Sequence, residues 1–157
     1  MTRLYGRAPK GERVVGTVPQ NDGENITLLG ALSLEGIPAV MTVNGATDAE
    51  VFRTYIKHVL GPTLVPGDIV VLDNLSAHKA TGIQQALARR RARLLYVPPY
   101  SPDLSPMELC FSKIKTALRT AKARTREALD MAVQKAMETV TAMEARNWFR
   151  HCGYVLY

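Results

Sequence analysis

Apolar positions follow two rhythms along this chain, and each rhythm predicts a different kind of element. In the first third they alternate or run in short β-branched blocks. Residues 12–18 (ERVVGTV), Ile26–Leu34 and Pro38–Val43 read as strands on that basis. Asn21-Asp22-Gly23 and Glu35-Gly36 supply turn residues between them, so an antiparallel meander is expected. Thr47-Asp48-Ala49-Glu50 then has the arrangement of a capping box. It opens a helix that places Phe52, Tyr55, Ile56 and Val59 on one face, ended or kinked at Gly61-Pro62.

The pattern changes at Ile69-Val70-Val71-Leu72-Asp73. Four consecutive apolar residues, three of them β-branched, predict a strand buried on both faces, as in a parallel sheet. A short helix over about 79–91 and a strand at Arg93-Leu94-Leu95-Tyr96-Val97, stopped by Pro98-Pro99, complete a βαβ unit with a right-handed crossover. Two helices are expected to finish the chain, over roughly 106–122 and 125–149. The second carries Leu129, Ala132, Val133, Ala136, Met137 and Val140 at helical spacing. No repeat or low-complexity tract interrupts this order, and meander, βαβ and helices together make an α/β pattern.

Composition adds limits. The 157 residues suit one domain, and 46% apolar with 22% charged content is ordinary for a globular protein. No apolar run approaches the roughly 20 residues of a membrane span. The segment from Met1 to Arg7 lacks the apolar core of a secretory signal. Cys110 and Cys152 stand far apart, and Cys110 lies on an apolar helix face, as a buried free thiol would. These features predict a cytoplasmic protein in a reducing compartment. Net charge is +6, and its distribution is uneven: eleven basic residues lie between Lys79 and Arg126, opposed only by Asp103 and Glu108. Such a basic half points to a polyanion, DNA or RNA, or else to a solvated face.

Two acids then draw interest. Asp73 sits where the parallel strand ends, the place where ligands collect in open α/β sheets, with Asn74, Ser76 and His78 in the same loop. It also fits a turn or helix-capping role. Glu108 follows Ser105 and Pro106, and Ser at N-cap, Pro at N1 and Glu at N3 would make a capping box. The helix it opens has an apolar stripe through Met107, Cys110, Phe111, Ile114, Ala117, Leu118 and Ala121. A second stripe runs Glu108, Ser112, Lys115, Arg119 and Lys122. One carboxylate at the head of a row of cations suits a metal-bound acid beside phosphate-binding residues. His78 fits either a phosphate- or water-positioning role or an ordinary loop position. His58 and His151 carry no pattern. Trp148, Phe149 and Tyr154 fit a core or lid cluster.

The blocks Val70-Val71-Leu72-Asp73-Asn74-Leu75-Ser76-Ala77-His78-Lys79 and Pro98-Pro99-Tyr100-Ser101-Pro102-Asp103-Leu104-Ser105-Pro106-Met107-Glu108, with 34 residues between the two acids, resemble the catalytic blocks of mariner-like bacterial insertion-sequence transposases. These are DDE superfamily endonucleases. Arg7-Ala8-Pro9-Lys10-Gly11 and residues 25–32 (NITLLGAL) match the family's upstream pattern, so the resemblance spans essentially the whole chain.

The resemblance implies a ribonuclease H-like fold, a mixed sheet of antiparallel meander and parallel βαβ flanked by helices. It implies Mg²⁺- or Mn²⁺-dependent phosphodiester hydrolysis and strand transfer at a site where three carboxylates hold two metals about 4 Å apart. Asp73 and Glu108 would be the second and third acids, with carboxylates within roughly 4–8 Å. His78, Lys79, Lys115, Arg119 and Lys122 would contact DNA, and a homodimer would hold transposon ends and target.

The departures are specific. The family's first acid lies on a central strand upstream of the segment matching residues 3–11, and neither Asp22 nor Asp48 falls in its place. The helix-turn-helix that reads element ends has no counterpart. Ser105 and Met107 stand where Asn and a β-branched residue are usual. The expectation is therefore one domain over residues 1–157, lacking its first central strand, with an incomplete metal site and no activity by itself. Two rivals remain. One is a non-catalytic DNA-binding or dimerising transposase fragment. The other is a flavodoxin-like module, which the absence of glycine over residues 73–79 disfavours.

Overall fold

The computed structural model describes residues 6–15 and 25–156. The first hairpin forms as expected: β1 (Ile26–Ser33) pairs antiparallel with β2 (Gly36–Asn44). Leu34 and Glu35 make the turn, and Gly36 enters β2 at φ 120°, a conformation open to glycine and strained for other residues. The register runs Ala31 to Ala39, then Ser33 to Gly36, so the extra residue of a bulge lies in β2. Pro38, which has no N–H to give the ladder, stands in that bulged stretch. A third meander strand is not seen: residues 12–15 are irregular, and the remainder of the expected 12–18 strand, like the Asn21-Asp22-Gly23 turn, lies outside the described residues.

Helix α1 (Ala49–Thr54) starts one residue later than its capping pattern predicts. Asp48, not Thr47, is the N-cap, accepting from Glu50 N at 2.9 Å and Val51 N at 2.8 Å. A carboxylate is the better acceptor for exposed helix N–H groups, so it displaces the threonine hydroxyl. The helical run continues as a π-helical segment (Tyr55–Leu60) and ends in a 3₁₀ turn (Gly61–Thr63).

Strand β3 (Ile69–Leu72) pairs parallel with β4 (Arg93–Tyr96), and Ile69–Arg93 through Leu72–Tyr96 are in register. Between them lie a 3₁₀ turn (Ser76–Lys79) and α2 (Ile83–Arg89), shorter than the expected 79–91 helix because Gly82 at φ 92° breaks it at the start. Helix α3 (Pro106–Ala121) matches expectation. The long final helix does not. It divides into α4 (Arg126–Glu138) and α5 (Ala142–His151), because Thr139-Val140-Thr141 is β-branched throughout and Thr141 forms a capping box with Glu144.

Two cores result, on opposite faces of the hairpin. Leu29, Ala31 and Met41 pack with Phe52, Tyr55, Ile56, Ile83 and Leu87, which joins β1 and β2 to α1, the π segment and α2. Leu28 and Leu32 pack with Cys110, Ile114, Val133 and Ala136 of α3 and α4. The apolar stripes read from the sequence on the helices that begin at Ala49, Pro106 and Arg126 therefore face inward, except Ala121 at the end of α3. The expectation that β3 is buried on both faces is not met. Val70, Leu72 and Leu94 join the first core, but Ile69 (46% exposed), Val71 (38%) and Leu95 (52%) face outward. Helices α3–α5 spend their apolar faces on β1, β2 and one another, leaving that side of β3 and β4 uncovered among the described residues. The two strand pairs share no ladder there, so β1 and β3 each keep one free edge.

Candidate functional site

Asp73 follows the last residue of β3, and its side chain is 52% exposed. Its Oδ1 accepts from Leu75 N at 3.0 Å, the short-range turn bond expected of an Asx residue. The same oxygen lies 2.5 Å from His78 Nδ1, a close contact out of line for a directed hydrogen bond. His78 is held from two other elements. Its ring lies on Phe52 of α1, with centroids 4.1 Å apart, and its carbonyl accepts from Tyr96 Oη of β4 at 3.0 Å. The neighbouring Asn74 amide donates to Val97 O, just past β4, while Val97 N donates to Leu72 O at 2.9 Å. The loop carrying Asp73 is thus stitched to the carboxyl end of both parallel strands.

Glu108 lies in the first turn of α3, after the loop that leaves β4. The capping box expected there does not form: Ser105 is the N-cap, but its side chain makes no capping bond. Glu108 is exposed, and among the described residues nothing bonds its carboxylate. Its function is therefore not accounted for by helix capping. It lines a hollow of about 360 Å³ with Asp103, Ser105, His151 and Cys152. His151 carries no sequence signal; it arrives because α5 ends against the 3₁₀ turn Pro102–Leu104, where Tyr154 Oη donates to Leu104 O at 3.0 Å and stacks edge-on with Phe149 at 5.3 Å. Burial raises the Tyr154 phenol pKa, and it raises that of Cys152 with help from Asp103.

Ser112, Lys115 and Arg119 are exposed along α3 below Glu108, as the helical spacing predicts, and Lys122 is exposed just past the helix, where a left-handed turn at φ 50° departs from that spacing. Lys79 is exposed at the end of its 3₁₀ turn, whereas His78 is largely covered by Phe52. Not every cation of the basic half is available. Lys113 is held by Glu144 at 2.6 Å and by Thr139 O, and Arg126 by Asp130 at 2.8 Å. Lys115, Arg119 and Lys122 have no such partner among the described residues.

Each carboxylate is of a type that suits a hard cation, and Asp73 is not among the residues that line the hollow beside Glu108. No cluster of three or more His, Cys, Asp or Glu that could hold a metal occurs among the described residues. No helix among them is long and apolar enough to cross a membrane.

Known proteins place these features. A Mos1 transposase paired-end complex with left transposon end has the same fold, with TM-score 0.73 and 16% identity, over 96% of this chain and 46% of that one. A Mos1 mariner paired-end complex with Mn gives 0.72 and 17%, over 97% and 47%. A pre-cleavage Mos1 transpososome gives 0.69 and 14%, over 100% and 53%. The chain thus spans about half the length of these proteins, and the two sheets and flanking helices are the ribonuclease H-like fold they share. No curated protein matches it. Residues 1–130, which include Asp73, Glu108 and all of α3, match the family pattern of the DDE superfamily endonucleases, and to that family this chain belongs.

Proposed function

We propose that this chain is the catalytic part of a DNA transposase, in which Asp73 and Glu108 are two of the acids that hold divalent metal. The observation that carries this reading is Glu108. It stands at a helix start where capping would account for it, yet its carboxylate bonds nothing, and it heads an exposed row of unpaired cations. Mg²⁺ or Mn²⁺ held by Asp73 and Glu108 would supply activation of the attacking oxygen and stabilisation of the leaving one. The protein's own residues orient and bind. The His78 contact and the Leu75 N–H both engage Oδ1 of Asp73, and Oδ2 has no bond among the described residues. Lys79, Lys115, Arg119 and Lys122 hold phosphates without reading bases.

Among the described residues the site offers two acids of the three such chemistry uses. The free edges of β1 and β3 would accept one more strand between them, and such a strand would bring a third acid to the end of β3. Residues 1–157 then form one domain that acts as a homodimer on transposon ends and target, inactive until that strand is present. Two carboxylates offer few anionic oxygens to offset the lost hydration of two Mg²⁺ ions, so the rate should depend on the third.

The test compares this chain with one extended upstream by an Asp-bearing strand, assayed for Mg²⁺-dependent nicking of supercoiled DNA. The extended form should nick, and Asp73→Asn or Glu108→Gln in it should each lower the rate at least about 100-fold. Equal nicking by the short and extended forms would refute the incomplete-site reading. A Glu108→Gln variant as active as its parent would refute the assignment of Glu108.

A further inference from the structure

A second concentration of positive charge lies on the other side of the hairpin from α3. Helix α2 packs against the π-helical segment, and between them is a hollow of about 510 Å³. Arg53 and Lys57 line it from one wall, Arg89 and Arg90 from the other. No acid and no aromatic ring lines it, and its floor is Ile56, Ile83 and Ala86. All four cations are exposed, and none has an ion pair among the described residues. Elsewhere this protein does pair its cations across elements: Lys113 with Glu144 and Arg146 with Glu35.

The walls are built to keep these cations together. Arg53 and Lys57 are four residues apart and share one side of their helical run, and Gln85 and Arg89 do the same on α2. Gly61 closes the end of the hollow. A Cβ there would stand 2.9 Å from Ile56 O, too close for any residue but glycine without a backbone shift, while Arg90 Nε at 3.6 Å would be in ordinary contact. Like charges held side by side repel, by about 0.5 kcal/mol per pair at 8 Å in water, and the fold tolerates that without a counter-charge.

We infer that this hollow binds the sugar–phosphate backbone of duplex DNA, as a second site distinct from the α3 row. Three guanidinium forks suit phosphate oxygens, and no carboxylate lines the hollow to repel them and no ring to stack a base. The two surfaces lie on opposite faces of β1, since Leu29 and Ala31 pack toward α1 and α2 while Leu28 and Leu32 pack toward α3. A straight duplex on one face does not reach the other, so the chain holds two DNA segments at once. The inference rests on the reading of DNA as substrate, and not on the metal chemistry of Asp73 and Glu108.

The test measures binding of a fluorescent 30-base-pair duplex as a function of salt, together with capture of a second labelled duplex by protein already bound to an immobilised one. Two variants are compared with the parent chain. The first is Arg53→Gln/Lys57→Gln/Arg89→Gln/Arg90→Gln, and the second is Lys115→Gln/Arg119→Gln/Lys122→Gln. A control, Arg53→Lys/Arg89→Lys/Arg90→Lys, keeps the charge. Parallel thermal unfolding shows that each variant folds. The hollow variant should lose second-duplex capture and lower the salt slope by about 3.6 units, and the lysine control should keep the slope. If the hollow variant keeps both slope and capture, the inference fails, whatever the α3 variant does. If only the α3 variant is silent, the hollow stands and the α3 assignment under the proposed function falls. If poly-glutamate displaces DNA from the α3 variant more readily than unlabelled duplex does, the hollow takes an acidic polypeptide and the inference is refuted.

Discussion

Replacing Lys115, Arg119 and Lys122 together by glutamine removes two exposed cations from α3 and one from its C-cap, and no hydrogen bond within the described residues. The loss should therefore appear in DNA binding and not in stability. Each phosphate contact contributes about 0.9 to the slope of log K against log salt, so three contacts contribute about 2.7. Between 50 and 200 mM salt the parent should lose roughly 40-fold more affinity than the variant. The affinity loss should be similar for unrelated duplex sequences, because these side chains reach phosphates only. Lys113→Gln and Arg126→Gln provide the contrast. Their side chains are already held, Lys113 by Glu144 and Arg126 by Asp130, so each should cost stability and leave the slope nearly unchanged. Fluorescence anisotropy titrations at four salt concentrations measure both. A slope that does not change in the triple variant, or that changes as much in Lys113→Gln, would show that charge availability on this helix does not select the DNA face.

Three further outcomes follow from the packing. Glu144 caps α5 and holds Lys113, and the Lys113 hydrogen bond followed by the Thr141 N–H hold its carboxyl below the usual range. A lowered folded pKa gives stability that is present above the unfolded value and is lost as pH falls through the folded one. Glu144→Gln should therefore destabilise by about 1 kcal/mol at pH 7, and by less at pH 3, read from urea midpoints. Burial pushes the Cys110 thiol up to about 11, with Glu144 adding to the rise and Lys113 opposing it, and the side chain is fully enclosed. Cys110 should resist thiol reagents at pH 8 until the protein unfolds, and rapid labelling of the native chain would contradict the α3–α4 packing. Ile114 is 1% exposed at the centre of that same core. Ile114→Ala should cost about 2–5 kcal/mol, visible as a fall in the thermal midpoint, whereas Met131→Ala on the exposed side of α4 should change it little.

What the sequence pattern could show depended on how local the cause was. The helical stripes were legible because 3.6-residue periodicity is set by burial of one face: Phe52, Tyr55 and Ile56 are all buried, as are Cys110, Ile114 and Leu118. Strands β1 to β4 were legible within a residue or two for the same reason. The break between α4 and α5 was less so, since Val140 continues the apolar stripe across Thr139 and Thr141, and only the Thr141–Glu144 capping box reveals the stop. At Ile69–Leu72, composition predicted burial on both faces. Burial of the second face depends on what lies against it, and α3 to α5 are committed to the hairpin.

The site divides along the same line. Asp73 could be placed from the end of an apolar run, and Glu108 from Ser105 and Pro106, because strand ends and helix starts are local signals. The sequence could not say whether Glu108 is occupied by capping. That depends on how the Ser105 backbone enters α3, and there the two side chains do not reach the bonds a capping box requires. Nor could it say which cations are free. Helical spacing separates Lys113 from the stripe that holds Lys115, but it could not show that α5 brings Glu144, 31 residues away, beside Lys113. The pairing of Arg126 with Asp130 was readable, as a four-residue helical spacing, but its bonds to Thr42 and Asn44 of β2 were not. In a basic chain, then, charge counts locate the polyanion-binding half, but long-range acid partners decide which of its cations remain to bind. Four of the residues left unpaired by that test, Arg53, Lys57, Arg89 and Arg90, come from two segments more than 30 residues apart that meet only when α2 packs on the π-helical turn.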